Sequence, residues 1–481
     1  MDNGTKEEVG GATLGRKSNA FRRKSARGAG TKATPCALTN AAKEIALLAT
    51  VKTAAHRRAG LKPNSLEPPD SHQREFLAQP SNKQSNQSMK TTTSNNIKTR
   101  VAAKMRLGLL LTTSIATLAC LPASAEDHFR GNGRDDEQTH YRQIDLVSDI
   151  RDVAQIQDTN LVNSWGIAFG ATGPFWVGDN GTGLATLYNV TNDALGTPKV
   201  SKNPLEVTIP GAGNVTGLVK NNTTAFNGDA FVFASEDGTI SGWRGALGTK
   251  AEILATRNGG VYKGITIAIP TAGPVLLAAN FNEGTLDEYN SAGQLIGQFV
   301  DRRAPAGYAP FNVLNVAGTV FVTFAKQDDF HQLDEGRGHG LIDTFNVQDN
   351  SFHRFATGTD AGGNIREMNS PWGVTLAPST FGSHANQFLV GNFGSGTIMT
   401  FDAHGIFHGL LKGTEECPVT IDGLWSLTFG AAGTAGVPTD LYFTAGPNSE
   451  AHGLFGVIQK EIEDRGNHRD DSQSENRGPR Y

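Results

Sequence analysis

Residues 160–190 read NLVNSWGIAFGATGPFWVGDNGTGLATLYNV, and residues 370–402 read SPWGVTLAPSTFGSHANQFLVGNFGSGTIMTFD. Both stretches open with a Trp-Gly pair and an apolar run, then show a second apolar run, a Gly-bearing turn and a third run. Runs of this length, punctuated by DNGTG or NFGSG, are the pattern of short antiparallel strands joined by tight connections. Gly, Asn and Asp tolerate the positive φ that such connections need.

The same module occurs six times. Its first strand opens at Trp165-Gly166, Thr216-Gly217, Lys263-Gly264, Phe311-Asn312, Trp372-Gly373 and Trp425-Ser426, at spacings of 51, 47, 48, 61 and 53 residues. Second and third strands follow in every copy, for instance AFVFASED with GTISGWRG and VLLAANFN with GTLDEYNS. A fourth strand follows in five copies: LEVTIPG (205–211), AEILATR (251–257), LIGQFVD (295–301), SFHRFAT (351–357) and IFHGLLKG (406–413). Periods near 50 residues with four strands each are those of propeller blades. The sixth copy lacks its fourth strand, while RQIDLVSDI (142–150) is a strand without a repeat. The expectation is an all-β, six-bladed β-propeller of four-stranded antiparallel blades over 141–460, with the N-terminal strand completing the last blade. Closure of this kind leaves no open seam. A β-sandwich would also show many short strands, but not six like modules with one permuted strand.

The flanks are of a different character. Met105–Ala125 has Arg106, the apolar run LGLLLTTSIATLACL and Ala123-Ser124-Ala125 ahead of Glu126, the order of a cleaved export signal too short to span a bilayer. The expectation is export to the periplasm or exterior, with cleavage after Ala125. Residues 1–88 are expected to be a disordered basic extension, either upstream of a translation start at Met89 or Met105 or an unusual basic leader, and 89–125 the signal region. A polar linker is expected over 126–140 and a disordered charged tail over 461–481.

Charge divides the chain in the same way. Residues 1–104 carry 19 Lys and Arg against 7 Asp and Glu, whereas from Glu126 onward 23 face 40. An acidic body repels phosphates, which disfavours nucleic acid as a partner. Of the three cysteines, Cys36 and Cys120 precede the expected cleavage point, leaving Cys417 as the one cysteine of the expected mature chain. Zinc ribbons and thioredoxin-like chemistry lack their residues. The sequence contains no GxSxG elbow, Walker loop, HExxH or Rossmann fingerprint.

The segments NLVNSWGIAFG…GPFWVGDNGTGLATLYNV, SPWGVTLAP (370–378) and FLVGNFGSGTIMTFD (388–402) resemble a family of uncharacterised bacterial secreted proteins. That family lies within the six-bladed propeller group of NHL-repeat and SMP-30/gluconolactonase-like members. The resemblance covers 141–460 and implies the propeller fold, but brings no assigned chemistry.

In a propeller, the loops leading into each first strand and those between second and third strands share one face around the channel mouth. Here they hold Asn163, Asp179, Asn180, Glu236, Asn369, Asp422, Glu450 and His452, among other amides and carboxylates. Oxygen-rich loops of this kind suit Ca²⁺ or another divalent cation, although tight turns select Asn and Asp for backbone reasons alone. Asn163, Asn369 and Asp422, two or three residues before a first-strand Trp, are the candidate metal ligands. With Asn312 and His339 they form the candidate ligand-binding set, and Asp422 and Glu450 are the catalytic candidates. The insertion DDFHQLDEGRGHG (328–340) between the second and third strands of blade 4 is a candidate lid or partner contact. Trp165, Trp372 and Trp425 recur at equivalent positions and are expected to be core. The preferred function is a monomeric, exported propeller binding a small molecule or protein at the channel mouth. The alternative is a divalent-cation-dependent hydrolase or lyase of the lactonase-like type, in which the metal polarises a carbonyl and a carboxylate moves protons.

Overall fold

A computed structural model describes residues 139–359 and 362–461. The expectations for the extension, the signal region and most of the linker and tail lie outside these residues. The described chain is a six-bladed β-propeller of four-stranded antiparallel blades. It contains no α-helix among the described residues, only three short 3₁₀ turns. No helix in that region is long and apolar enough to cross a membrane.

The strands nearest the axis are Ser164–Phe169, Val215–Lys220, Tyr262–Ala268, Tyr308–Val316, Pro371–Leu376 and Leu424–Phe429. Blade 6 takes its fourth strand from the N-terminal segment. Tyr141–Ser148 pairs antiparallel with Leu454–Lys460, from Tyr141 opposite Lys460 to Ser148 opposite Leu454. A two-residue strand, Ile156–Gln157, then adds in parallel to the end of Tyr141–Ser148, a fifth strand that period alone does not reveal. The fourth strand of blade 1 is also longer than its repeat suggests, running Pro198–Thr208 beside Leu184–Asn192.

The bulky-Gly signature has a common geometric cause. In all six blades the innermost strand breaks register with its neighbour at this position, between Ser164 and Ile167 in blade 1 and between Leu424 and Leu427 in blade 6. A bulge turns side chains away from the regular alternation. The small residue is required because consecutive inner strands touch there. A Cβ on Gly166 would lie 2.6 Å from Thr216 O, and one on Gly217 would lie 2.8 Å from Gly264 Cα.

The apolar core divides by the same symmetry. Six buried clusters fill the six blade interfaces, and a seventh lies on the axis. Each blade is a twisted sheet with two apolar faces, so it is buried only when both neighbours are present.

Candidate functional site

The axial cluster closes the channel near the face where the inner strands begin, called here the upper face. Trp425 stacks between Trp165, at 3.6 Å between ring centroids, and Phe393, at 3.9 Å. Trp372 meets both tryptophans edge-on, and Phe311 packs 5.9 Å from Trp425. All five rings are buried. The recurrent tryptophans are therefore core, but core of the axis rather than of the blade interfaces.

Above this plug runs a polar belt that links four blades. Asn163 has φ 48°, and its amide oxygen accepts the Trp425 indole N–H at 3.1 Å. Its amide nitrogen donates to Glu450 Oε2 at 2.7 Å and to Asn180 Oδ1 at 3.3 Å. Asn180 donates in turn to Glu236 Oε2 at 3.1 Å. Glu236 pairs with Lys263, whose ammonium lies 5.0 Å from the Trp165 ring centroid, a cation–π contact. Lys263 occupies the repeat position that holds Trp in blades 1, 5 and 6, and this departure is the sequence signal for it. It is not among the site residues expected from the sequence.

The other half of the mouth is acidic. The insertion lies where the sequence places it, between Thr319–Lys326 and Gly340–Asn346. It is tied down at several points. Lys326 pairs with Asp334 at 2.6 Å, His331 Nδ1 is 2.6 Å from Asn282 O, and Arg337 pairs with Glu367 at 2.6 Å. Leu333 packs on the axial aromatics. Glu335 is thereby carried toward Glu450 and Asp422. Its carboxyl is raised above the usual range, first by loss of surrounding water and then by the charges of Glu450 and Asp422. Glu450 is raised too, by loss of surrounding water and to a smaller extent by the charge of Glu236, against which its bond from Asn163 and the Lys263 charge act only in part. Both side chains reach solvent, yet the walls of the mouth thin the water around them.

Glu450 also sits on strained backbone. Asn448, Ser449 and Glu450 have φ values of 57°, 53° and 65°, a single left-handed turn in which Glu450 N–H donates to Gly446 O at 3.0 Å. Three successive non-glycine residues in this region are costly.

The other predicted residues disperse around the axis. Asn369 Oδ1 accepts from Gly336 N–H at 2.8 Å and so anchors the insertion. Asp422 is exposed, and its Oδ2 accepts from Asn448 N–H at 2.6 Å, pinning the strained turn. Among the described residues no hydrogen bond joins Asn163, Asn369 and Asp422 to one another. His339 Nδ1 donates to Asp334 O at 2.9 Å within the insertion. Asn312 lies below the plug, buried, with its amide donating to Trp372 O at 2.9 Å. No group of three or more His, Cys, Asp or Glu placed to hold a metal occurs among the described residues.

No protein-family model matches the chain. An uncharacterised protein of Acanthamoeba polyphaga mimivirus is 30% identical over 340 residues, covering 66% of this chain and 79% of the relative. A second from the same virus is 30% identical over 337 residues, covering 66% and 85%. The chain belongs to the family of these mimivirus proteins. These relatives are viral, and they give no support to the bacterial origin that the sequence resemblance implied. Among solved structures, virginiamycin B lyase from Staphylococcus aureus is 13% identical with a TM-score of 0.37, covering 68% of this chain and 89% of that one. The calcium-binding protein regucalcin from Agrobacterium tumefaciens is 12% identical with a TM-score of 0.38, covering 63% and 92%.

Proposed function

We propose that this family member is an exported binding propeller whose upper mouth captures a cationic group, presented by a small molecule or by a basic side chain of a protein partner. The observation that carries this reading is the convergence of Glu335, Glu450 and Asp422 from separate loops above a sealed channel. The Glu335 carboxyl is held above its usual range first by loss of surrounding water and then by the charges of Glu450 and Asp422, and a bound cation would offset both. The acidic sign of the chain from Glu126 onward favours the same class of ligand. The strained turn beneath Glu450 supports it further, since strain of this kind clusters at functional sites. Export rests on the leader expected at 105–125 and is checked by N-terminal sequencing of the mature protein, which should begin at Glu126.

Isothermal titration calorimetry with spermidine, and separately with CaCl₂, tests the binding reading. Spermidine should bind more tightly as pH rises from 5 to 8, because ionising Glu335 and Glu450 creates the site. The double variant Glu335→Gln, Glu450→Gln should lose affinity about tenfold or more, since each charge-assisted contact contributes ~1.5–3 kcal/mol. Equal affinity in the variant, or no binding by the parent, would refute the reading. Tighter binding of Ca²⁺ than of spermidine would favour the metal-dependent alternative.

A further inference from the structure

The outermost strand of each blade is a sheet edge, with a row of backbone N–H and C=O groups turned away from its neighbour. Such edges invite pairing with another chain unless charge, proline, shortness or a covering segment blocks them. Five of the six have such a device. Pro198–Thr208 carries Lys199 and Pro204, Glu252–Thr256 opens on a carboxylate, and Ser351–Thr357 holds Arg354. The four-residue Phe407–Leu410 is short and holds His408, 3.6 Å from Asp402. Tyr141–Ser148 carries Arg142 and Asp145, and Ile156–Gln157 is added to its end.

The outer strand of blade 3, Leu295–Phe299, has none of these. Residues 290–300, NSAGQLIGQFV, contain no Lys, Arg, His, Asp or Glu. Leu295, Ile296 and Val300 are 36%, 55% and 56% exposed. No backbone group of 295–300 bonds outside its own blade among the described residues. The turn before the strand lies against blade 2, with Gly293 packed on Leu254 O, and this brings the exposed Ile253 beside the same apolar strip.

Charge decides what covers this edge. From Glu126 onward 23 basic residues face 40 acidic ones, so copies of the chain repel one another wherever charged surfaces meet. Blade 3 offers the outer strand at which no charge would be opposed. Antiparallel pairing of Leu295–Phe299 with itself, about a two-fold axis at Gly297, sets Leu295 of one copy opposite Phe299 of the other and Ile296 opposite Gln298. The contact is self-complementary, as a two-fold interface requires. The same axis inverts one ring relative to the other, so the two acidic mouths open to opposite sides. A foreign charged segment would find no ion-pair partner on the strip to select it.

We infer that the outer edge of blade 3 is a homodimer interface, in which Leu295–Phe299 pairs antiparallel with the same strand of a second copy and joins two blades into one continuous sheet. This departs from the monomer expected from the sequence and leaves both mouths free. The contact is small, so the dimer is weak, and salt strengthens it by screening the acidic bodies.

Sedimentation equilibrium on the full chain between about 1 and 500 µM tests the inference. The mass should pass from one copy to two across that range, at lower concentration when NaCl is raised from about 50 to 500 mM. Ile296→Lys should raise the midpoint about tenfold or more, since an edge lysine blocks pairing, with the circular dichroism spectrum unchanged. Ile406→Lys, an equally exposed change beside the outer strand of blade 5, should leave the midpoint within about twofold. A chain that stays single at every concentration would assign the edge to a different partner and overturn the inference. A dimer that Ile296→Lys leaves intact would overturn it as well.

Discussion

Asn448, Ser449 and Glu450 show how a single turn sets the upper mouth. An L-residue in left-handed backbone costs roughly 1–2 kcal/mol, and glycine would avoid that cost. The sequence nevertheless places three side chains there, with Asp422 accepting from the backbone N–H of the first residue and Asn163 donating to the carboxylate of the last. Replacing Ser449 by glycine should raise unfolding free energy by about 0.5–1 kcal/mol, measured by urea denaturation. The same change should weaken spermidine binding by loosening Glu450. A destabilised variant would mean that the Ser449 side chain contributes more than the strain removes. This site was only partly legible in the sequence. Topology alone places Asn163, Asp422 and Glu450 at one mouth, but nothing in the triplet Asn-Ser-Glu announces left-handed backbone. Lys263 was readable only as the odd member of a repeat position.

At the scale of elements, blade 4 stores a pH-dependent contact in its outer half. Asp343, on Gly340–Asn346, faces Arg354, on Ser351–Thr357, and Arg354 Nη2 reaches Asp301 Oδ2 at 2.9 Å. Burial, followed by the neighbouring Asp301, raises the Asp343 carboxyl to about 7. For Asp301 burial pushes the same way. It is outweighed by the bond with Asp343, by the Arg303 N–H and by the charges of Arg354 and Arg303, which hold it below its usual value. A raised carboxyl stabilises the fold while protonated. Its contribution is therefore complete below about pH 4 and is lost as pH climbs toward 7, by up to ~1.4 kcal/mol per pH unit. The Asp301 contribution has the opposite sign and is lost only at more acidic pH. Asp343→Asn should accordingly flatten the fall in stability between pH 4 and 7, read from melting temperatures across that range. An unchanged slope would show that Asp343 ionises normally. The strands carrying these groups were legible as apolar runs bounded by turns. The pairing across Asp301 was not, because it joins the loop after blade 3 to blade 4.

For the whole molecule, number and order of blades were legible because one register break repeats six times, with glycine just after a bulkier residue in four of the blades so that the next inner strand can approach. What fills the axis was not legible, since an apolar position in a repeat can point toward a neighbouring blade or toward the centre. The tryptophans take the second course, and they close the channel beneath an acidic mouth. The mouth depends on the ring being closed, and closure depends on Tyr141–Ser148 completing blade 6. Hydrogen–deuterium exchange on the intact chain tests this most directly. The amides of 141–148 should exchange as slowly as those of Leu454–Lys460, opening only with global unfolding. Exchange of 141–148 at the rate of surface loops, with 454–460 protected, would contradict the sealed ring.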